Sequence, residues 1–514
     1  MKYFLTLIQL WVGFLSICAS YPKANIWIIP SVESPQVYRN YAQTSKVHLE
    51  MARGEVEHIQ LVFPSKVNEE YRFTFDRYLK GIQISARELK KMNGYYDALV
   101  PFKNQLKCTD TLTAVWITVQ CPSRVPVGKY HQTIKIEGSK HFTIQLDYNV
   151  HHTTIPLKSS IPITVGVENR CMTEGLNDKE ADKERQRWVD FVLSYRMTPV
   201  FGTQITPERW QYEHSFSPWA WNDKRSIRLL NDRRYSCYML PFFTLSENEL
   251  ASLLCNIQKK GKLKESLFYI WDEPAYMEDY EQIKRKVNII RKYASDARIL
   301  TTFFCGPRNG PRKGDLYAVF DYLKHHIHVA TISLAPCKGN EEEVQHIRYK
   351  VPEGIDWWGY VCWQPGGNEP NILLQMKGIQ QRAIMWRTWK NGSQGFLYWN
   401  CNIYHKRNPF TYITDMPHGD GILIYPGDIL GCKGPIASAR LERWRDGAEE
   451  MELLRLVEKN YSKEKADTLL NIVYSSPLSF IEKAHNIPFF RKELLDQLDK
   501  TIPIDYKLRI TDFI

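Results

Sequence analysis

No Cys-x-x-Cys pair and no zinc-type spacing occurs in this chain, although it holds 11 cysteines. Neither a long Lys/Arg block nor a nucleic-acid-binding motif accompanies its formal charge of +11. The charge therefore reads mostly as a solvated surface, and nucleic acid is not an expected partner. The same charge suits acidic partners such as sulfated or sialylated glycans. Disorder is not expected either, because 43% hydrophobic and 24% charged residues are ordinary for a folded protein. At 514 residues, two domains or more are expected.

What is abundant is aromatic. The 15 Trp and 29 Tyr mostly serve cores, but rings left in a cleft stack on sugars. Residues 1–20 read as an export signal: Lys2, an apolar run from Tyr3 to Ile17, then small residues Ala19 and Ser20. The run is short for a spanning helix. Cleavage after Ser20 gives a periplasmic, cell-surface or secreted protein. Leu15-Ser16-Ile17-Cys18 also looks like a loose lipobox, in which Cys18 carries lipid and tethers the protein to a membrane. The ten later cysteines are even in number, which permits disulfides. Cys305, Cys362 and Cys401 fall in expected strands and equally suit free thiols. Asn391-Gly392-Ser393 and Asn460-Tyr461-Ser462 are glycosylation sequons, relevant only in a eukaryotic secretory route.

Residues 21–155 read as a β-sandwich. Strand-like runs recur at Ile26–Ile29, Lys46–Met51, His58–Phe63, Ala114–Gln120, Tyr130–Glu137 and Phe142–Val150, split by Pro and Gly turns. From about residue 156 strands alternate with helices. Eight strands are expected: Ile161–Val167, Thr198–Phe201, Ser236–Phe242, Ser266–Trp271, Ile299–Cys305, His328–Leu334, Asp356–Trp363 and Gln394–Asn400. Helices are expected at Asp178–Ser194, Glu247–Lys259, Glu278–Tyr293, Asp315–Leu323, Glu341–Tyr349, Ile372–Lys390 and Pro435–Asn460. In the last of these Arg440, Glu442, Arg443, Arg445, Asp446, Glu449 and Glu450 are assigned to wet sides. The pattern suits a (β/α)8 TIM-type barrel over 156–460, with a doubly wound open sheet as the alternative. Helices over 461–514 form a C-terminal extension.

The fourth strand ends in Trp271-Asp272-Glu273-Pro274. Pro274 stops the strand, so two carboxylates stand at the edge where barrels carry catalytic groups. The other strand ends offer Glu168, Asn169, Arg170, Thr203, Gln204, Thr244, Gly306, Arg308, Ser333, Trp363, Gln364, Tyr398, Trp399, Asn400 and Asn402. That set is rich in amides, acids and rings and poor in metal ligands. It suits a hydroxyl-rich neutral substrate, and no metal or other cofactor is expected. Adjacent acids fit badly with a nucleophile and an acid flanking one bond at about 5 Å. An Asp-Glu-Pro turn that merely caps the next helix is the structural alternative.

Four ordered segments resemble glycoside hydrolase family 123 and the related domain of unknown function 4091. They are Tyr269–Pro274, Gly395–Trp399, Gly419–Gly427, and Pro435–Glu442 continuing to Arg445-Asp446-Gly447. Ala52-Arg53-Gly54-Glu55, Gln60–Phe63 and the Pro126–Tyr130 turn resemble the sandwich that precedes the barrel in that group. The resemblance implies a retaining exo-β-N-acetylgalactosaminidase, a β-N-acetylhexosaminidase-type glycosidase, acting on glycans or glycoconjugates with a terminal N-acetylhexosamine. It implies that the substrate's 2-acetamido oxygen is the nucleophile, that Glu273 is the general acid and base, and that Asp272 orients the acetamido group. Tyr398, Trp399 and Trp363 are expected to wall the sugar pocket, and Asn400 and Asp420 to bind hydroxyls or the acetamide. Arg440, Glu442, Arg445 and Asp446 are expected to form salt-bridged scaffold. A glycosidase of other sugar specificity and a non-catalytic glycan-binding protein are the competing functions.

Overall fold

The computed structural model describes residues 25–76, 81–202, 224–240, 246–404, 409 and 419–501. The leader over 1–20 with Cys18, and the strand-end candidates Thr203, Gln204 and Thr244, lie outside the described residues.

Ten strands build the N-terminal part: β1 (Trp27–Pro30), β2 (Lys46–Arg53), β3 (Glu55–Pro64), β4 (Glu70–Phe75), β5 (Gln83–Met92), β6 (Tyr95–Pro101), β7 (Gln105–Lys107), β8 (Leu112–Cys121), β9 (Gly128–Glu137) and β10 (His141–Thr154). They form two five-stranded sheets, ordered β1-β3-β8-β5-β6 and β2-β10-β9-β4-β7. Residues such as Leu61, Phe63, Ile117, Ile134 and Leu146 pack between the sheets. The expectation missed β4, β5, β6 and β7. Their charged, short runs, such as Ser85-Ala86-Arg87-Glu88-Leu89-Lys90-Lys91, hide a period of two behind polar side chains.

The first sheet is covered on both faces. Its outer residues, Val62, Leu89, Ala114 and Trp116 among them, join one continuous core with the following barrel. That is why β3 is buried along almost its whole length.

The barrel strands are β11 (Ile163–Glu168), β12 (Thr198–Gly202), β13 (Tyr238–Leu240), β14 (Ser266–Trp271), β15 (Arg298–Phe303), β16 (Val329–Ser333), β17 (Asp356–Val361) and β18 (Phe396–Tyr398). All pair in parallel, in the order β12-β11-β18-β17-β16-β15-β14-β13. The Thr198 hydroxyl on β12 lies 2.7 Å from the Ser236 hydroxyl just ahead of β13, and the barrel is a nearly closed TIM type. Its interior is filled by alternate residues, including Val200, Leu267, Tyr269, Leu300, Val329, Trp358, Tyr360 and Leu397. Helices α1 (Asn169–Thr173), α2 (Asp178–Ser194), α3 (Lys224–Leu230), α4 (Glu247–Lys259), α5 (Met277–Tyr293), α6 (Ala318–Leu323), α7 (Glu341–Lys350), α8 (Gly378–Lys390) and α9 (Ala439–Asn460) accompany the strands. A short ribbon of β19 (Ile424–Pro426) and β20 (Pro435–Ala437) precedes α9. Helices α10 (Lys463–Leu470) and α11 (Ile487–Asp499) follow it.

Three expectations are corrected. Helix α8 begins at Gly378, not Ile372, because Gln381 Nε2 donates to the carbonyls of Leu373 (3.2 Å) and Met376 (3.3 Å) and holds that approach as irregular chain. The stretch Pro435–Ala437 is a strand, and α9 starts only after Ser438, whose hydroxyl accepts from Leu441 N at 3.1 Å. Most importantly, the charged side chains of α9 are not wet. Arg440, Glu442, Arg443, Arg445, Asp446, Glu449 and Glu450 are all buried, because α9 is enclosed by the barrel, the first sheet and the C-terminal helices.

The salt-bridged scaffold expected of Arg440, Glu442, Arg445 and Asp446 is present. Arg382 reaches Glu450 (2.6 Å) and Asp446 (3.1 Å), Arg87 reaches Glu442 (2.6 Å), and Arg196 reaches Glu449 (3.1 Å). From α11, Arg491 reaches Glu55 (2.6 Å) and Glu57 (2.8 Å) on β3. The network joins sandwich, barrel and C-terminal helices. Burial makes each charge dependent on its partner.

The ten described cysteines are all free thiols. Asn391 of the first sequon is buried, which excludes a glycan there without unfolding, whereas Asn460 is exposed.

A second charged joint couples stability to pH. His151 Nε2 lies 2.7 Å from Glu50 and Nδ1 lies 3.0 Å from Asp499. Burial alone would lower His151, but Asp499 and Glu50 outweigh it and raise it to about 9. Its contribution is complete below the unfolded value near 6.5 and is lost as pH rises through about 9. The melting temperature is therefore expected to fall across that window in the natural protein. It should fall less in His151→Gln, and equal slopes by calorimetry would refute the linkage.

Candidate active site

Strand β14 would normally send Leu267, Tyr269 and Trp271 inward and their neighbours outward. The pairing with β15 breaks this alternation. Tyr269 pairs with Leu300, but Trp271 pairs with Thr301, so the strand carries one extra residue at its end. Trp271 then packs against the outer core, under Lys286 of α5 at 5.8 Å from its ring. Asp272 turns inward instead.

Glu273 follows with φ of +50°, the left-handed region. For a non-glycine residue this costs about 1–2 kcal/mol. The effect is to bring a second consecutive side chain to the same mouth of the barrel. Asp272 and Glu273 are both half-buried.

The pair is held by hydroxyls. Asp272 Oδ1 accepts from Tyr269 Oη and from Thr302 Oγ1, each at 2.9 Å. Thr302 Oγ1 also accepts from Glu273 N at 3.0 Å. Glu273 Oε1 accepts from Tyr360 Oη at 2.6 Å. Burial, with Glu273 beside it, raises the Tyr360 phenol well above its ordinary value, so it stays protonated and donates. The following helix is capped by other residues. Asp279 Oδ2 accepts from Ala275 N (2.7 Å) and Tyr276 N (2.8 Å), and Asn309 Oδ1 accepts from Met277 N (2.8 Å).

Tyr269, Thr302 and Tyr360 were not singled out from sequence. Alternation marks them as inward-facing, but only the register of β14, β15 and β17 puts them against the two acids.

Thr302→Val keeps the shape but removes one donor to Asp272 and the acceptor for Glu273 N. kcat/KM on an aryl glycoside is expected to fall about 10-fold or more, equivalent to roughly 1.4 kcal/mol. Thr302→Ser should restore most of it. Unchanged turnover in the valine variant, with a normal melting curve, would dismiss the positioning role.

A second carboxylate group stands across the mouth. Asp420 is almost fully buried; its Oδ1 accepts from Tyr398 Oη (3.0 Å) and Trp399 Nε1 (2.9 Å). Its Oδ2 has no hydrogen-bond partner among the described residues. Burial pushes this carboxyl up to about 6, against the pull of Trp399 and Tyr398. Asp420 sits between Gly419 and Gly421. A Cβ on Gly421 (φ +71°) would lie 2.5 Å from Trp399, so the loop follows the indole closely only because that residue is glycine.

The remaining candidates separate by exposure. Trp363 is 42% exposed at the end of β17 and Trp399 is half-buried. Tyr398 is fully buried with its ring 5.8 Å from Trp444, so what it offers the mouth is its hold on Asp420. Asn400 is buried, and its Oδ1 accepts from Asn402 N at 2.9 Å. Asn402 brackets the backbone of Glu168, accepting from its N–H (2.7 Å) and donating to its carbonyl (3.0 Å). No group of three or more His, Cys, Asp or Glu able to hold a metal occurs among the described residues.

The family model "Glycoside hydrolase 123, catalytic domain" matches residues 183–457, just over half the chain. The chain belongs to glycoside hydrolase family 123. The match contains Asp272, Glu273, Asp420 and the whole of α9 except its last turn. No curated protein sequence matches this chain. Among solved structures it is similar to a family 123 glycoside hydrolase from Clostridium perfringens, reported for glycolipid glycan hydrolysis. Identity there is 13%, covering 95% of this chain and 100% of that one, with a TM-score of 0.65. At that identity the likeness shows the fold. An FMN-binding β-glucuronidase from Facaelibacterium prausnitzii L2-6 matches at 10% identity over 79% of this chain and 59% of that one, with a TM-score of 0.30, too low to bear on function. As a family 123 member this protein is a glycosidase with a glycan substrate.

Proposed function

We propose that this glycosidase is a retaining exo-β-N-acetylgalactosaminidase that uses the substrate's own 2-acetamido oxygen as nucleophile. The observation that carries the reading is the pair of consecutive carboxylates, both turned to one barrel mouth by a bulge and a left-handed residue. Such a pair leaves little room for a nucleophile and an acid on opposite faces of one bond. It suits a sugar that supplies its own nucleophile.

In this mechanism Glu273 protonates the glycosidic oxygen as the acetamido oxygen attacks the anomeric carbon. It then takes a proton from the incoming water when the oxazolinium-like intermediate opens. Asp272, fixed by Tyr269 and Thr302, orients the acetamido N–H and faces the positive charge that develops on that group. The exposed ring of Trp363 and the half-buried ring of Trp399 offer apolar faces to the sugar, and Asp420 Oδ2 offers an acceptor to a hydroxyl. The leader-like residues 1–20 support action outside the cytoplasm, with Cys18 as the anchor if lipid is attached.

Paired substrates test the reading. The 4-nitrophenyl β-glycosides of N-acetylgalactosamine and galactose differ only in the 2-substituent. Acetamido assistance predicts turnover of the first and a loss of at least about 10³-fold for the second. Comparable rates would leave a glycosidase of other specificity, and no release from any member of an aryl-glycoside panel would leave a glycan-binding role.

A further inference from the structure

Seven arginines are buried among the described residues: Arg196, Arg382, Arg387, Arg440, Arg443, Arg445 and Arg491. Six face a carboxylate within 4.0 Å: Glu449, Asp446 with Glu450, Glu341 with Glu369, Asp97, Glu442, and Glu55 with Glu57, respectively and in that order once Arg443 is set aside. Arg443 has no such partner among the described residues, although it is only 5% exposed. Its Nε donates to Ser31 O (2.7 Å), Nη1 to Gln381 Oε1 (2.8 Å) and Nη2 to Glu33 O (3.4 Å), and its guanidinium lies 5.6 Å from the Trp116 ring. These contacts fix the group; Asp97, Asp446 and Glu33 act on it electrostatically, but none forms an ion pair with it among the described residues. Burial pulls it down to about 10. Three of its five N–H groups are used.

Arg443 lines a cleft of about 550 Å³ between the sandwich, the approach to α8 and the C-terminal segment Ile481–His485. That volume lies in the range of small-molecule sites. Asp272, Glu273, Trp363 and Asp420 take no part in it. The start of α8 closes it from beneath, since a Cβ on Gly378 would sit 2.7 Å from Arg443 Nε. The positive end of that helix therefore adds to the guanidinium. Two acids of the cleft have cationic partners of their own: Asp97 pairs with Arg440, and Glu482 with Lys377 at the rim (3.2 Å). Glu33 stands beside Tyr41, whose phenol is pushed up to about 12 by burial and by that carboxylate. Tyr95, 42% exposed at the tip of the β5–β6 hairpin, supplies an open ring face.

We propose that this cleft is a second saccharide site that takes an acidic sugar, its carboxylate or sulfate on Arg443 and its ring against Tyr95. Both anions match the planar fork of a guanidinium, and a sugar ring presents the apolar face that an open tyrosine stacks. The site holds a charged branch of a glycan away from the hydrolytic mouth, and it stands whether or not the sugar cleaved is N-acetylgalactosamine.

Calorimetric titration of the full chain with 3′-sialyllactose, 3′-sulfolactose and lactose tests it, the first two separating carboxylate from sulfate. At least one acidic ligand is expected to bind about 10-fold tighter than lactose or better, with affinity falling as salt rises. Tyr95→Ala and Lys377→Glu should each weaken that binding about 5-fold or more, with aryl-glycoside turnover unchanged. Arg443→Gln should erase the preference over lactose; should it not fold, the two surface variants decide. Equal binding of all three sugars, binding of none at millimolar concentration, or binding untouched by Tyr95→Ala and Lys377→Glu would overturn the proposal.

Discussion

Glu273→Gln is expected to lower kcat/KM for 4-nitrophenyl β-N-acetylgalactosaminide by about 10²–10⁴-fold, the usual worth of a positioned general acid. That corresponds to roughly 3–5 kcal/mol of transition-state stabilisation. The deficit should depend on the leaving group. A 2,4-dinitrophenyl glycoside departs without much proton assistance, so glutamine should cost it least; an alkyl or sugar leaving group should suffer most. Asp272→Asn is expected to lose a similar amount, but by the same factor for every leaving group, since its target is the acetamido group rather than the departing oxygen. The two profiles assign the two acids separately. Both side chains are half-buried at the barrel mouth, and melting temperatures should stay within about 2 °C of the natural protein. Near-normal turnover in both variants would remove the pair from the chemistry. Leaving-group dependence in Asp272→Asn but not in Glu273→Gln would exchange their roles.

The largest stability loss is expected from Arg440→Met. Arg440 is fully buried at the start of α9. Its Nε donates to Asp97 Oδ2 at 3.0 Å, and Nη1 donates to the carbonyls of Ile372 (3.0 Å) and Gly419 (2.8 Å). Nη2 reaches the carbonyl of Ile422. One guanidinium thus ties β6 of the sandwich to the loop that carries Asp420. Methionine fills much of the volume but leaves Asp97 with the Tyr425 hydroxyl (2.5 Å) and no cation, and strands three carbonyls. Removing one partner of a buried pair costs about 3–5 kcal/mol. The melting midpoint should drop by roughly 3–5 °C. Turnover should fall as well, because Gly419 and Ile422 bracket Asp420 and lose their anchor. Asp97→Leu combined with Arg440→Met leaves no unpaired charge and should recover part of the stability but not the turnover. A single variant within about 1 kcal/mol of the natural protein would show that the pair is dispensable.

Much of the frame was legible along the chain. The limits of β14, α2 and α4 match the expectation residue for residue, because each has a strong local signal: a β-branched and aromatic run closed by proline, or an N-cap residue followed three positions later by glutamate. The charged strands of the sandwich were not legible, since side chains such as Arg87 and Glu57 look solvated until their partners are found on α9 and α11.

The sequence by itself determined the alternation of strands and helices that favours a barrel over an open sheet, and the two acids at the end of its fourth strand. Hydrophobic period and turn chemistry are local, and they carry that information in short windows. Tertiary structure alone decided three things. A register shift against β15 and a left-handed Glu273 turn both acids to one mouth. The hydroxyls of Tyr269, Thr302 and Tyr360, from three strands, hold them there. And α9, whose charges read as a wet surface, became the buried centre of the molecule, because a helix pattern records how polar its faces are but not whether water or arginine meets them.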